Sequence, residues 1–329
     1  MDFIHLLQIL VLAIVQGAAE LLPISSSAHV TIAARLMGYD MGNVFEWTFL
    51  LVMLHTGTMA SVLIYFWSRW NKMFDQIPAM IMATVCTAVV GYPLMVLIKH
   101  VLNTDPTAAP QEVEHLFQNL PLMACSLAIV GVLIIVAGLM DEKRPAAAEP
   151  VSSVRRKAVP HGAFVVAAAQ HEATSSGPTE VSTIQATIIG AVQGLALPFR
   201  GFSRSGSTIS TGMLLRVARM KAEEFSFALA VILTPLVIAR EVWMLIKEHS
   251  HAAPDQTAQA VGSAAEAAGS TNLGHLFLPG LLGMGFSFVA GLIALKWLSS
   301  WLQHGRWKFF GFYCLVAAVV VLSMHFFHG

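Results

Sequence analysis

The chain is short of charge. Only 12% of its 329 residues are Asp, Glu, Lys or Arg, and the formal net charge is zero. An ordinary soluble domain carries roughly 25% charged residues. No basic excess is present to neutralise a phosphate backbone, so nothing points to nucleic acid as a partner. Cysteine is also scarce. Cys86, Cys125 and Cys314 each fall inside an apolar run, where they read as small buried hydrophobes and not as a disulfide framework or a metal cluster. A basic n-region is missing as well. The first Lys or Arg is Arg35, so the apolar start is expected to be retained and not cleaved as a signal peptide. The histidines of the polar stretches, His161, His171, His249 and His251, lack metal-ligand spacing.

What the chain has in quantity is apolar sequence, 56% of all residues. Six runs, 46–67, 80–98, 121–140, 225–246, 276–298 and 309–327, reach the ~20 residues an α-helix needs to cross the hydrocarbon core of a bilayer. A soluble fold would have to pack six all-round-hydrophobic helices into one small core. The expectation is an all-α polytopic membrane protein. Two stretches, 141–183 and 248–274, are rich in Ala, Ser and Gly or Pro with little apolar content, and read as solvated linkers.

A short motif occurs twice. Val15-Gln16-Gly17 leads to Pro23 and the cluster Ser25-Ser26-Ser27-Ala28-His29. Val192-Gln193-Gly194 leads to Pro198 and Ser203-Arg204-Ser205-Gly206-Ser207. Three of the predicted spans follow each copy, so the chain reads as motif plus three, twice: 1–140, then a linker over 141–183, then 184–329. The apolar arms before the motifs, 3–15 and 184–197, fall below the ~17 residues needed to cross. Pro23 and Pro198 disfavour continuing either helix. Each arm is therefore expected to form a re-entrant hairpin, which a membrane tolerates only where protein or water surrounds it.

A hairpin adds no net crossing and three spans add an odd number, so the second copy is expected to be inverted relative to the first. Loops on one side then carry twelve Lys and Arg, among them Arg69, Arg155, Arg219 and Lys308, against Arg35, Lys99 and Lys247 on the other. The basic side is expected to be cytoplasmic. Inverted repeats meeting at broken helices also build secondary transporters, so architecture alone leaves enzyme and carrier open.

The tips carry the chemistry. An ionisable group at membrane depth costs roughly 2.5–3.5 kcal/mol or more and usually faces a polar interior, which singles out Glu20. Ser25, Ser26 and Ser27 read either as a cap for the next helix or, with small Ala28 beside them, as an oxyanion cradle at a helix N-terminus. His29, three residues beyond Ser26, has the chemistry of a nucleophile, base or acid near neutral pH. At the second tip Arg204 offers a guanidinium that matches phosphate geometry, with Ser203, Ser205, Ser207 and Thr208 around it. Arg200 reads as a second clamp or a snorkelling residue, and mid-span His55 as a lining group. One tip supplies acid, base and nucleophile candidates and the other an anion clamp, the equipment for phosphoryl chemistry on a membrane-held substrate.

The paired motifs Q16-G-A-A-E-L-L-P-I-S-S-S-A-H29 and G201-F-S-R-S-G-S-T208 resemble those of the bacterial undecaprenyl-diphosphate phosphatase family, also called bacitracin-resistance proteins. The likeness covers most of the chain outside the two linkers. It implies a multi-pass inner-membrane hydrolase, its site open to the periplasmic side, that converts undecaprenyl diphosphate to the lipid carrier of peptidoglycan synthesis, a reaction tied to cell-wall biogenesis, cell shape and bacitracin resistance. By position it implies Ser26 as nucleophile, Glu20 and His29 as catalytic partners, and Arg204 as the phosphate ligand flanked by Ser203 and Thr208. Ser25, Ser27, Ser205, Arg200, Gln16 and Gln193 are further substrate-binding candidates. The family is described as using a divalent cation, Mg²⁺ or Ca²⁺, and Glu20 is its candidate ligand here.

Three positions depart from the family pattern. Gln16 stands where the family has a glutamate, Ala28 replaces a glycine, and a Pro-Gly pair is rearranged into Pro198-Phe199-Arg200-Gly201. The expected partners are a polyprenyl diphosphate and the bilayer, and a homodimer is an expectation the sequence leaves open. The alternatives are a carrier that moves undecaprenyl phosphate between leaflets, or a non-catalytic lipid-binding relative.

Overall fold

The computed structural model describes residues 3–39, 44–102, 120–143, 180–251 and 273–328, and these residues are helical apart from short turns. The expected linkers fall largely on 144–179 and 252–272, outside the described residues. Eleven α-helices succeed one another among the described residues: α1 (Phe3–Leu21), α2 (Ser26–Leu36), α3 (Val44–Tyr65), α4 (Trp67–Trp70), α5 (Ile77–Leu102), α6 (Leu120–Glu142), α7 (Thr183–Ala196), α8 (Arg204–Leu214), α9 (Arg219–His251), α10 (Leu273–Gln303) and α11 (Lys308–His328).

Among the described residues, six helices are long and apolar enough to cross a membrane. Five are the expected runs, in α3, α5, α6, α10 and α11. The sixth differs. The arm expected to stop near residue 15 continues as α1 to Leu21, which gives it an 18-residue apolar window, Ile4–Leu21. The polar residues that suggested an earlier end satisfy one another inside the helix: Gln16 Nε2 donates to Glu20 Oε2 at 3.2 Å, one turn on. The chain breaks two residues before Pro23, whose ring restricts the residue ahead of it. The run 225–246 lies within a helix, α9, whose first turns carry Arg219, Lys221, Glu223 and Glu224. The second arm, α7, keeps its expected shortness at 14 residues and opens on a capping box between Ser182 and Gln185.

Helix packing crosses between the halves. α1 lies against α10 and α7 against α5, while α6 pairs with α11. Glycine makes the first two contacts close. A Cβ on Gly17 would sit 2.5 Å from the Ser287 carbonyl oxygen of α10, and one on Gly194 2.7 Å from the Thr87 carbonyl oxygen of α5. These are the two glycines of the repeated Val-Gln-Gly motif.

Short α8 is rich in hydroxyls yet buried along most of its length. It tolerates this because its side chains bond back to its own carbonyls: Ser207 Oγ and Thr208 Oγ1 donate to Arg204 O, and Thr211 Oγ1 to Ser207 O. Around it lies the largest core cluster, with Phe66, Phe225, Phe227, Ile209 and Trp307; the Trp307 indole donates to Ser210 Oγ at 2.9 Å.

At one end of the bundle charged side chains gather. Arg69 and Lys221 share Glu224, at 3.1 and 2.9 Å, Lys308 meets Glu142 at 2.9 Å, and Arg219 pairs with Asp141. All four cations belong to the loops that the sequence assigns to a single side.

Candidate active site

α1 ends at the first tip and α7 at the second, and each break restarts as a short helix. Ser26 is the first residue of α2 and Arg204 the first of α8. Both helices therefore turn their N-termini, with unsatisfied N–H groups and positive dipole ends, toward the junction. The tips touch directly. Ser205 Oγ donates to the Leu22 carbonyl at 3.3 Å, and a Cβ on Gly206 would lie 3.2 Å from Pro23.

Glu20 is the centre of this junction. Arg204 Nη2 donates to its Oε1 at 2.6 Å. Ser26 Oγ donates to its Oε2 at 2.5 Å, Gln16 Nε2 reaches the same oxygen at 3.2 Å, and His55 Nε2 stands 3.6 Å from it. The guanidinium also donates through Nη1 to Thr234 Oγ1 at 3.1 Å, so two of its five N–H donors are committed. A cleft borders the pair, with Thr58, Ser226 and Thr234 among apolar Met59, Val62 and Phe227. A charged pair beside an apolar wall suits a substrate with an ionic head and a hydrocarbon tail.

Most residues proposed from sequence meet here, in differing capacities. The capping reading does not hold for Ser25, the N-cap of α2, whose side chain makes no capping bond and lies 3.3 Å from Ser27 Oγ. At the other tip Ser203 caps α8, its Oγ accepting from Gly206 N at 3.2 Å, where the sequence offered it as a phosphate-binding group. Thr208 Oγ1, besides donating to Arg204 O, lies 2.5 Å from Ser226 Oγ. His29 faces away from the carboxylate: its Nδ1 bonds the Ser25 carbonyl at 2.8 Å and its Nε2 the Tyr313 hydroxyl at 2.7 Å. Gln193 lies within the α7–α5 contact, donating to Thr87 Oγ1 at 3.2 Å. Arg200 is half-buried in the turn before Gly201.

Sequence reasoning missed Thr234 and Tyr313 and underrated His55. Thr234 precedes Pro235 within α9, where a hydroxyl beside a helix-interior proline is the available signal. Tyr313 carries no local signal beyond the rarity of tyrosine, of which the chain has four.

The donor set does not fit a resident divalent cation. Among the described residues no three His, Cys, Asp or Glu side chains gather as a metal group. Ca²⁺ takes six to eight oxygens, and Mg²⁺ a near-ideal octahedron. The tip offers one carboxylate, with Oε1 held by a guanidinium and Oε2 by a serine and an amide. Gln16 presents its N–H to Glu20 where a second carboxylate would present an oxygen.

Comparison with known proteins gives a consistent answer. Residues 9–320 match the model of a family described as bacitracin resistance protein BacA. The chain is 45% identical over 332 residues to undecaprenyl-diphosphatase 2 of Acinetobacter baylyi, covering 98% of each chain. It is 28% identical to the undecaprenyl-diphosphatase of Rhodopirellula baltica, again over 98% of each, and 28% identical to that of Acidovorax ebreus, over 98% of this chain and 96% of the other.

Proposed function

The chain belongs to the bacitracin resistance protein BacA family, and from that premise we propose that it is a membrane hydrolase converting undecaprenyl diphosphate to undecaprenyl phosphate at the Glu20–Arg204 junction. The observation that carries the residue assignment is the shared carboxylate: one oxygen of Glu20 holds Arg204 and the other holds Ser26.

The diphosphate enters the cleft with its tail among the apolar lining groups and in lipid. Its oxygens compete with Glu20 for Arg204, a bidentate phosphate ligand, while the N–H groups opening α2 and α8 face the same charge. As Arg204 turns to phosphate, Glu20 is released to act as base. Ser26 Oγ attacks the terminal phosphorus, its proton passes to Glu20 Oε2, and the bridging P–O bond breaks, freeing undecaprenyl phosphate. Water then attacks the phosphoserine, Ser26 Oγ recovers the proton from Glu20, and the proton of water leaves with inorganic phosphate. Positioning and electrostatics account for most of the catalysis in such transfers.

The nucleophile assignment favours Ser26 over His29, because the ring nitrogens of His29 bond the Ser25 carbonyl and Tyr313. The two halves form an inverted repeat in this reading, supported by the reciprocal contacts of α1 with α10 and of α7 with α5 and by the matching glycines. The charged end of the bundle is taken as cytoplasmic, which opens the site toward the periplasm of an inner-membrane protein. The test is phosphate release from a polyprenyl diphosphate by the purified chain, with Glu20→Ala and Arg204→Ala beside it. Release lost in both variants and a phosphoenzyme trapped on Ser26 are expected. Release that survives Glu20→Ala refutes the assignment.

A further inference from the structure

Ser25 and Arg216 are the only non-glycine residues among those described with positive φ, and Ser25, at φ 69° and ψ 97°, immediately precedes the proposed nucleophile. That conformation presses Cβ against the backbone and persists only where neighbours over-determine it. Its own hydroxyl makes no capping bond to the α2 backbone and lies 3.3 Å from Ser27 Oγ.

The restraint comes through its carbonyl. His29 Nδ1 lies 2.8 Å from Ser25 O, and the His29 backbone N–H reaches the same oxygen at 3.4 Å. A carbonyl oxygen only accepts, so Nδ1 carries the proton and, in the neutral ring, Nε2 is left as an acceptor. Tyr313 O–H fills that role at 2.7 Å, and its ring stacks on the imidazole with centroids 5.6 Å apart and planes 18° apart. Tyr313 comes from α11, at the far end of the chain. Its neighbour Cys314 also points its thiol at the tip, at the Pro23 carbonyl 3.4 Å away.

We propose that His29 and Tyr313 are positioning residues, a brace that holds Ser25 in its left-handed conformation and so aims Ser26 Oγ at Glu20. The proposal rests on the Ser26–Glu20 reading above and deepens it. It removes His29 from proton transfer and gives Tyr313 a defined task. α11 thereby sets the angle of the nucleophile without touching substrate.

The test uses the full chain in detergent or nanodiscs, with phosphate release from a polyprenyl diphosphate as one readout. Tyr313→Phe lowers kcat about tenfold with KM unchanged, the pattern of lost transition-state alignment. Glycine adopts positive φ freely, so in a Ser25→Gly background the same Tyr313→Phe change costs less than about threefold, the non-additivity of coupled residues. His29→Asn, which keeps an N–H near the Nδ1 position and has no acid–base function, retains more activity than His29→Ala and keeps both limbs of the wild-type pH–rate profile. An equal loss in both Ser25 backgrounds, or a pH limb that vanishes in His29→Asn, overturns the proposal.

A second readout does not depend on turnover. ¹⁵N-histidine NMR of the wild type shows His29 fixed with its proton on Nδ1, and Tyr313→Phe releases it. A wild type that shows this locked ring but releases no phosphate refutes the hydrolase reading and supports the brace. Tautomers already averaging in the wild type overturn the brace itself.

Discussion

Arg204 reaches Glu20 at 2.6 Å across 184 positions of sequence, so the first residue of one short helix neutralises the carboxylate beside the first residue of another. The pair joins the two motifs into one site. In the proposed mechanism it also holds the phosphate ligand on the base until substrate arrives, which makes the identity of the cation at this position decisive.

Arg204→Lys keeps the charge and loses the planar fork. One ammonium cannot hold Glu20 and Thr234 and then turn two parallel N–H groups to a phosphate. The expected outcome is a fall in kcat/KM of about 10²-fold, on the order of 2.7 kcal/mol of transition-state stabilisation, with Arg204→Ala lower still. Steady-state phosphate release checks it, and a lysine variant within twofold of wild type contradicts the fork.

Gln16→Glu restores a second carboxylate one turn before Glu20. The wild type is expected to show no saturable Mn²⁺ binding by electron paramagnetic resonance in the absence of substrate, because its one carboxylate is already committed. The variant binds Mn²⁺, since two carboxylates a helical turn apart make a credible start on an oxygen shell. Substrate-free binding to the wild type that disappears in Glu20→Gln contradicts the reading of the donor set.

Gly194→Val puts a branched side chain where even a Cβ would lie 2.7 Å from a backbone carbonyl of α5. A carbonyl in a helix does not yield as a flexible side chain would, so α7 must move off. Overpacking of this kind typically costs 1–3 kcal/mol or more, and a lower thermal unfolding temperature in detergent is the measurement. Gly17→Val, against α10, is expected to behave alike.

Glu223 gives a pH prediction. It sits in the opening turns of α9, ahead of the apolar run 225–246, fully buried with Ser299 Oγ 2.5 Å from Oε1 and no partner for Oε2 among the described residues. Burial pushes its carboxyl up to about 7, against hydrogen bonding by Ser299 and the nearby Arg69, which pull it down. The folded chain thus holds a proton that the unfolded chain releases near 4.5. Stability is greatest below that lower value and declines as pH rises toward 7. Glu223→Gln removes this decline, so thermal unfolding temperatures at pH 5 and pH 8 should converge in the variant.

Much of the site was legible in the sequence because a membrane makes polar residues conspicuous. Glu20 and Arg204 stood out among leucines and alanines for a thermodynamic reason, and the repeat placed them in equivalent motifs. The end of α1 was misjudged because a hydropathy pattern reads side chains, while a helix ends where its backbone does; Gln16 and Glu20 bond each other and let the helix run on to Leu21. Thr234 and Tyr313 were invisible for another reason. Their importance lies in what they face, and nothing in the residues around Tyr313 indicates that His29 lies opposite.

The exchange of packing partners has a consequence for how the protein comes into being. The motif glycine of each arm rests against a helix of the other half, so a half made alone would leave that close contact unmade. On the proposed roles, neither the base nor the phosphate ligand reaches its working position until translation of the second half is well advanced. The Glu20–Arg204 pair is thus a late product of biogenesis, and two separately expressed halves are expected to regain activity only by interlocking within the same bilayer.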